Sequence, residues 1–445
     1  MKSLPLIARA PGCSVIGWED QKPISTDQFL KDAYRLSQRL PKNTWVINLC
    51  QNRYRFLVGF SAALMQGQTN ILPPNRTPQG LKTIASQFPG IYCLTDDCND
   101  KDFGLPVLEY PFQMGSLPDT PAVPKIPASH TAAIVFTSGS TGVPQPHLKS
   151  WESMVAIARN TGPRLIPLST QKTAIIATVH PQHMYGLETS IMLPLQYQGA
   201  LLGTCPFFPE DIRAALEGVP KNRILITTPI HLKACVESSV EFPEIALIVS
   251  ATAPLSGELA AKAEKAFNTK VIEIYGCTEA GSLATRRTIS NTPWELLDEI
   301  AMRGNRDQCY VEAAYLPDPV RLPDIIKNCE NGRFELQGRS EDLVIVGGKR
   351  ISLSELNFRL NEIKGVADGA YFMPPQIGPA HKRLVAFVVG KNLREEDILQ
   401  ALRLHLDPVF LPRLLFFVDR LPRTPSGKLP REALLEMFYQ SSNKN

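Results

Sequence analysis

Four absences narrow what this chain can be. Its nine cysteines include no C-x-x-C pair, so neither a zinc site nor a disulfide framework is indicated. No apolar run reaches the length of a membrane span, and Met1–Gly12 lacks the long apolar core of a signal peptide. No membrane insertion and a reduced, cytoplasmic setting are therefore expected. Neither sign of charge is in excess: 47 Lys and Arg stand against 43 Asp and Glu, for a net charge of +4. That balance gives no reason to expect nucleic acid or a membrane surface as a partner. Finally, no G-x-x-x-x-G-K-[ST] occurs, so a Walker-type phosphate loop is excluded.

What is present is an ordinary globular composition, 44% hydrophobic and 20% charged over 445 residues, long enough for several folding units. Short β-branched runs at 45–50, 70–72, 91–94, 132–136, 173–178, 200–203, 224–227, 245–250 and 271–275 read as strands. Helical periodicity separates them at 54–66, 81–87, 187–198, 209–217, 230–237 and 257–267. Such alternation predicts an α/β fold with parallel-rich sheets sandwiched by helices. The proline-rich stretch 104–130 reads as a surface loop. Past about Arg339 the pattern changes to strands at 343–346, 370–373, 384–389 and 414–418 with helices at 353–361 and 395–406. The expectation is a large N-terminal domain, 1–338, and a small C-terminal α+β domain, 342–445, joined by a hinge at 339–341.

The organising stretch is Thr137-Ser138-Gly139-Ser140-Thr141-Gly142, directly behind the apolar run Ala132–Phe136. Two glycines allow close backbone approach to a ligand, and four hydroxyls add donors, which is the composition of a phosphate cradle. The small residues Ser250, Ala251, Gly276, Ala280, Gly281 and Ser282 either leave room for a ligand or allow tight packing.

Five stretches in order, Phe136–Pro144, Val249–Leu255, Ile274–Glu279, Gly338–Asp342 and Pro422–Lys428, resemble the signatures of the adenylate-forming superfamily. That superfamily comprises acyl-CoA synthetases, carrier-protein adenylation domains and luciferases. The resemblance implies ATP and Mg2+ as cofactors and attack of a carboxylate on the α-phosphate, with pyrophosphate released. Residues 137–142 would then hold the β- and γ-phosphates. Glu279 would bind magnesium, directly or through water, and Thr278 would contact the α-phosphate. One carboxylate suffices for a cation that phosphates already bridge. Tyr275 and Gly276 on one side and Thr252-Ala253-Pro254 on the other would enclose adenine. Asp324, in Leu322-Pro323-Asp324, resembles the ribose-binding Asp, with Arg339 opening the hinge; a helix N-cap is the plainer reading of Asp324. Lys428 would reach the reacting carboxylate and α-phosphate, where one mobile point charge stabilises transient negative charge. Glu341 matches the hinge position, and Gly347, Gly348 and Lys349 the channel for the pantetheine thiol.

The chain departs from that pattern at one point. Where the family has Pro-Lys-Gly after the phosphate loop, Gln145-Pro146-His147 follows Pro144, so the lysine is missing unless Lys149 substitutes. His183, in His180–Gly186, resembles the acid-pocket position. No Asp or Lys occurs from 181 to 187 and Glu188 is the nearest acid, so an acid without an α-amino group is expected, aryl or fatty. The stretch 278–287 resembles compact ligases that load acyl carrier proteins, and exposed arginines Arg286 and Arg287 with Lys349 and Arg350 would suit an acidic carrier, or equally the phosphates of free CoA. The expected activity is ATP-dependent activation of a carboxylic acid, then thioester formation on the phosphopantetheine of an acyl carrier protein. Free CoA is the alternative acceptor. A nucleotide-binding regulator without catalysis, motivated by the missing lysine, is the reading from another class, and the motifs alone do not separate an oxygenase of luciferase type.

Overall fold

The computed structural model describes residues 2–9, 12, 14–73, 76–97, 104–111, 121–137, 145–166, 173–290, 292–304, 308–328, 332–339, 343–346, 349–374, 384–391, 393–424 and 429–442. The chain forms two compact units: 1–292 with 296–300 and 313–318, and 293–295 with 301–312 and 319–445. Residues 319–338, expected in the N-terminal domain, thus belong to the second unit. Glu341 of the expected hinge lies outside the described residues.

Among the described residues the first unit carries two large sheets and one small one. In one, Trp45–Asn48, Thr69–Leu72, Tyr92–Thr95, Val107–Glu109 and Thr131–Thr137 run parallel, and Gln145–Ser150 closes one edge antiparallel to Thr131–Thr137. In the other, Leu247–Ser250, Arg223–Thr227, Ala174–Ala177, Ala200–Leu202 and Val15–Glu19 run parallel beside Lys270–Cys277. Antiparallel partners, Gly281–Arg287 and Lys22–Ser25, flank this set. The proline-rich stretch is not wholly loop: Val107–Glu109 joins the first sheet, and Lys125–Pro127 pairs with Ser3–Pro5.

The helix Arg53–Met65 is apolar on nearly every face and is buried throughout its middle, as such a sequence requires. Asn52 caps it, accepting from the Tyr54 and Arg55 amides at 2.9 and 3.1 Å. Gly59 lets it lie close on its sheet, because a Cβ there would meet Leu94 Cδ2 at 2.5 Å. Within the same helix Arg53 is fully buried; its guanidinium donates to the carbonyls of Ala177 and Val179 at 2.8 and 2.9 Å and of Leu202 and Thr204 at 3.1 and 2.8 Å. One side chain therefore ties together the carboxyl ends of two strands. Trp151–Leu165, capped by Ser150, buries Trp151 completely in the core that the two sheets share.

In the second unit Asp324–Asn328 pairs antiparallel with Arg333–Arg339, and Leu343–Val346 with Lys349–Ser352. A further sheet joins Val366–Phe372, Val385–Gly390 and Leu414–Phe417. The helices Leu353–Asn361, Glu395–Arg403 and Arg431–Ser442 complete the unit.

Candidate active site

The stretch expected to cradle phosphates joins the two strands of a hairpin. Thr137 and Gln145 are direct partners in the ladder, followed inward by Phe136 with Pro146 and Val135 with His147. Ser138, Gly139, Ser140, Thr141 and Gly142 lie outside the described residues, but their entry and exit are pinned side by side.

The strand leaving that hairpin runs beside the expected metal glutamate. Glu279 sits in a three-residue turn, Thr278–Ala280, closed by the ladder pair Cys277 and Gly281. Its side chain is 40% exposed, and Oε1 lies 3.7 Å from His147 Nε2. Lys149 Nζ donates to the Glu279 carbonyl at 2.6 Å. With only 4% of Lys149 exposed, its ammonium is committed inside the protein, so the amine weighed as a stand-in for the missing phosphate lysine is already engaged. Burial pushes the Lys149 ammonium and the His147 imidazolium below their ordinary pKa ranges.

The turn's geometry explains two of the small residues. A Cβ on Gly276 would stand 2.3 Å from the Gly281 carbonyl oxygen. Gly281 has φ +84°, and a Cβ there would meet Glu188 Oε1 and Ile157 Cδ1, both at 2.6 Å. At these two positions smallness serves close packing rather than ligand room. Ala280 and Ser250 are fully buried and Ala251 nearly so. The Ser250 hydroxyl has no partner among the described residues.

Sequence reasoning passed over Glu273, which organises the opposite turn. This carboxylate, 2% exposed, accepts the Leu255 amide at 3.0 Å, Arg286 Nε at 2.7 Å and the Thr288 hydroxyl at 2.6 Å. It thereby holds the segment 252–254, where Thr252 takes the strained φ of +79°. Thr252 and Pro254 are exposed and Ala253 half-buried, whereas Tyr275 is 9% exposed and its neighbour Gly276 is exposed. A lone acid inside the apolar run Val271–Tyr275 was the available signal.

His183 is half-buried at the head of the short helix Met184–Leu187, which Tyr185 ties to the Val249 carbonyl at 3.0 Å. Gln182 beside it accepts from Arg76 Nε and Nη2 at 3.2 and 3.0 Å and donates to the Asn48 carbonyl at 2.8 Å. Burial, reinforced by Arg76 and Arg53, holds the His180 imidazole at about 4, hence neutral. Glu188 opens a π-helical turn, Glu188–Met192, and accepts a hydrogen bond from the Ser282 hydroxyl through Oε2. Burial pushes its carboxyl up to about 7, against the opposing pull of Ser282 and Lys149.

The two arginines offered above to an acidic carrier are half-buried and ion-paired: Arg286 with Glu273 at 2.7 Å, and Arg287 with Glu264. In the second unit, Lys349 pairs with Asp407. Asp324 opens a strand rather than capping a helix, and its ladder partner is Arg339. Gly347, Gly348 and Lys428 lie outside the described residues.

Magnesium fits this arrangement in one way. Among the described residues no cluster of three or more His, Cys, Asp or Glu could cage a metal. A single accessible carboxylate, Glu279, suits a hard cation that takes its other oxygens from phosphates and water. No helix among the described residues is long and apolar enough to cross a membrane.

The AMP-binding enzyme family matches residues 19–303, and the AMP-binding enzyme C-terminal domain matches 364–428. The 4-coumarate–CoA ligase of Rhodobacter capsulatus is 30% identical over 67% of this chain and 75% of its own length. The oxalate–CoA ligase of Saccharomyces cerevisiae is 23% identical over 71% of this chain, which spans 64% of that enzyme. In three dimensions the o-succinylbenzoate CoA synthetase of Bacillus subtilis, solved with an acyl-adenylate intermediate, superposes with a TM-score of 0.83, covering 98% of both chains at 18% identity. The same Bacillus enzyme has been solved with ATP and a magnesium ion. The chain therefore belongs to the AMP-binding enzyme family, the adenylate-forming superfamily that its motifs resemble.

Proposed function

We propose that this enzyme uses ATP and magnesium to convert a carboxylic acid to its acyl-adenylate, releasing pyrophosphate, and then passes the acyl group to a pantetheine thiol. The observation that carries the reading is the juxtaposition of Glu279 with the strand leaving the phosphate-loop hairpin, through His147 at 3.7 Å and Lys149 at 2.6 Å. Phosphates held by residues 137–142 and a magnesium ion on Glu279 would then share one small volume. When bound, the ion neutralises charge on the phosphates. Thr278 would contact the α-phosphate, and the segment 252–254 with Tyr275 and Gly276 would enclose adenine. Asp324 binds ribose. Lys428 supplies the charge that stabilises the transition state at the α-phosphate. Residues 339–341 form the hinge, and Gly347, Gly348 and Lys349 border the thiol's path in the second half-reaction.

CoA is the acceptor that the observations favour. Relatives named for CoA ligation match most of the chain. Arg286, Arg287 and Lys349, which would suit the phosphates of CoA as well as an acidic carrier, each pair with an acid of this chain and do not separate the two acceptors. An acyl carrier protein is the second reading, kept by the resemblance of 278–287 to carrier-loading ligases. For the acid, an aryl or fatty substrate without an α-amino group remains the proposal. The nearest acid, Glu188, is buried and already accepts from Ser282.

The test is acid-dependent exchange of labelled pyrophosphate into ATP across a panel of aryl, fatty and amino acids. CoA and a phosphopantetheinylated carrier are then compared as acceptors of the best acid. Exchange with an aryl or fatty acid and turnover with CoA is expected. ATP binding with no exchange for any acid would instead identify a nucleotide-binding regulator.

A further inference from the structure

Two buried charges of opposite sign converge on one surface turn. Lys149, from the strand Gln145–Ser150, reaches the turn's middle and donates to the Glu279 carbonyl at 2.6 Å. Glu188, from the π-helical turn Glu188–Met192, reaches the strand that follows the turn, where Oε2 accepts the Ser282 hydroxyl. Glu188 Oε1 occupies the place a Cβ on residue 281 would take, 2.6 Å from it, and has no partner among the described residues. Both side chains are only 4% exposed. Burying a lysine and a glutamate is costly, and apolar residues of similar size would pack the same space more cheaply. The charges act on each other, but each spends its hydrogen bond on the segment 279–282. A three-residue turn with an exposed carboxylate would otherwise sample several orientations. Held at its middle by Lys149 and just beyond its C-terminal end by Glu188, it presents Glu279 in one.

We propose that Lys149 and Glu188 are positioning residues that hold the turn Thr278–Ala280, and with it the Glu279 carboxylate, in the orientation that receives magnesium. This rests on Glu279 being the magnesium-binding carboxylate. In this chain the positive charge absent at Gln145 is supplied four positions later and is directed at the metal turn rather than at the phosphates. The π-helical turn widens the helix where Glu188 must reach across to Ser282.

The experiment compares K149M, K149R, E188L and E188Q with wild type, and uses L148A, an exposed position of the same strand, as the baseline. Two quantities are read: the thermal stabilisation by ATP with Mg2+ beyond that by ATP with EDTA, and the Mg2+ concentration giving half-maximal pyrophosphate exchange. Loss of such an outer partner typically costs 10- to 100-fold in metal affinity, so K149M and E188L are expected to raise half-saturation by about tenfold or more. They should also lose most of the extra stabilisation by Mg2+ while keeping that by ATP alone. K149R and E188Q, which keep the donor and the acceptor, should stay near wild type. Folded K149M and E188L with wild-type magnesium responses would overturn the proposal. So would failure of both to fold while K149R and E188Q behave as wild type, because that marks packing alone. E279A separates the two levels: an unchanged magnesium response there sinks the reading of Glu279 itself. Its loss in E279A but not in K149M sinks only the clamp.

Discussion

Glu273 and Leu255 are joined by a hydrogen bond of 3.0 Å, from the backbone amide of Leu255 to Oε1 of the carboxylate. Through it the strand Lys270–Cys277 fixes the neighbouring turn that carries Thr252, Ala253 and Pro254. Because the same carboxylate also partners Arg286, Glu273→Ala removes this half-buried ion pair together with the Leu255 bond. The expected loss is about 3 kcal/mol in urea unfolding, with a raised KM for ATP. Glu273→Gln, which can still accept the Leu255 amide, should cost about 1 kcal/mol. An unaltered KM in a folded Glu273→Ala variant would detach this turn from nucleotide binding.

Gly281 is the second point of tension. With φ at +84° and Glu188 Oε1 and Ile157 Cδ1 both 2.6 Å from a built Cβ, Gly281→Ala forces its surroundings to move. A destabilisation of about 2 kcal/mol is expected. In a Glu188→Ala background one of the two clashes is gone, so a coupling of about 1 kcal/mol should appear in the double-mutant cycle. Strict additivity of the two changes would show that the backbone, not Glu188, sets the cost.

Stability depends on pH through Glu188. Its carboxyl is raised from 4.5 to about 7 in the folded protein, chiefly by burial. A raised folded pKa means the native state binds the proton more tightly, so its contribution is fully present below pH 4.5. It is lost as pH rises through about 7. The pKa difference is worth about 3 kcal/mol. Glu188→Gln does not ionise, so its melting temperature relative to wild type is expected to climb from pH 5 to pH 8. A flat difference over that range would place the Glu188 pKa at its ordinary value.

Lys428 concerns the chemistry itself. Lys428→Ala should slow adenylate formation by a factor of about 10² to 10³, the usual cost of one transition-state donor. ATP affinity should change little, and thioester formation from pre-formed acyl-adenylate should survive. Equal damage to both half-reactions would contradict its assignment to the first.

The sequence by itself determined the alternating strands and helices, because a fully buried parallel strand must be a short β-branched run and a covering helix must turn an apolar face to it. It likewise held the five ordered stretches by which the superfamily is recognised. Less legible was the helix Trp151–Leu165, whose Pro163 and polar residues mask its periodicity. The strand Val15–Glu19 was equally hidden, since one of its two ladder partners, Ala200–Leu202, lies far along the chain. Three facts of the site were decided by tertiary structure alone: Lys149 turns inward to Glu279, Glu188 meets Ser282, and Glu273 holds Leu255. Local pattern sets whether a residue lies in a strand or a turn. The partner that a buried charge finds depends on which distant segments the sheets bring together, and on the cost of leaving that charge unpaired.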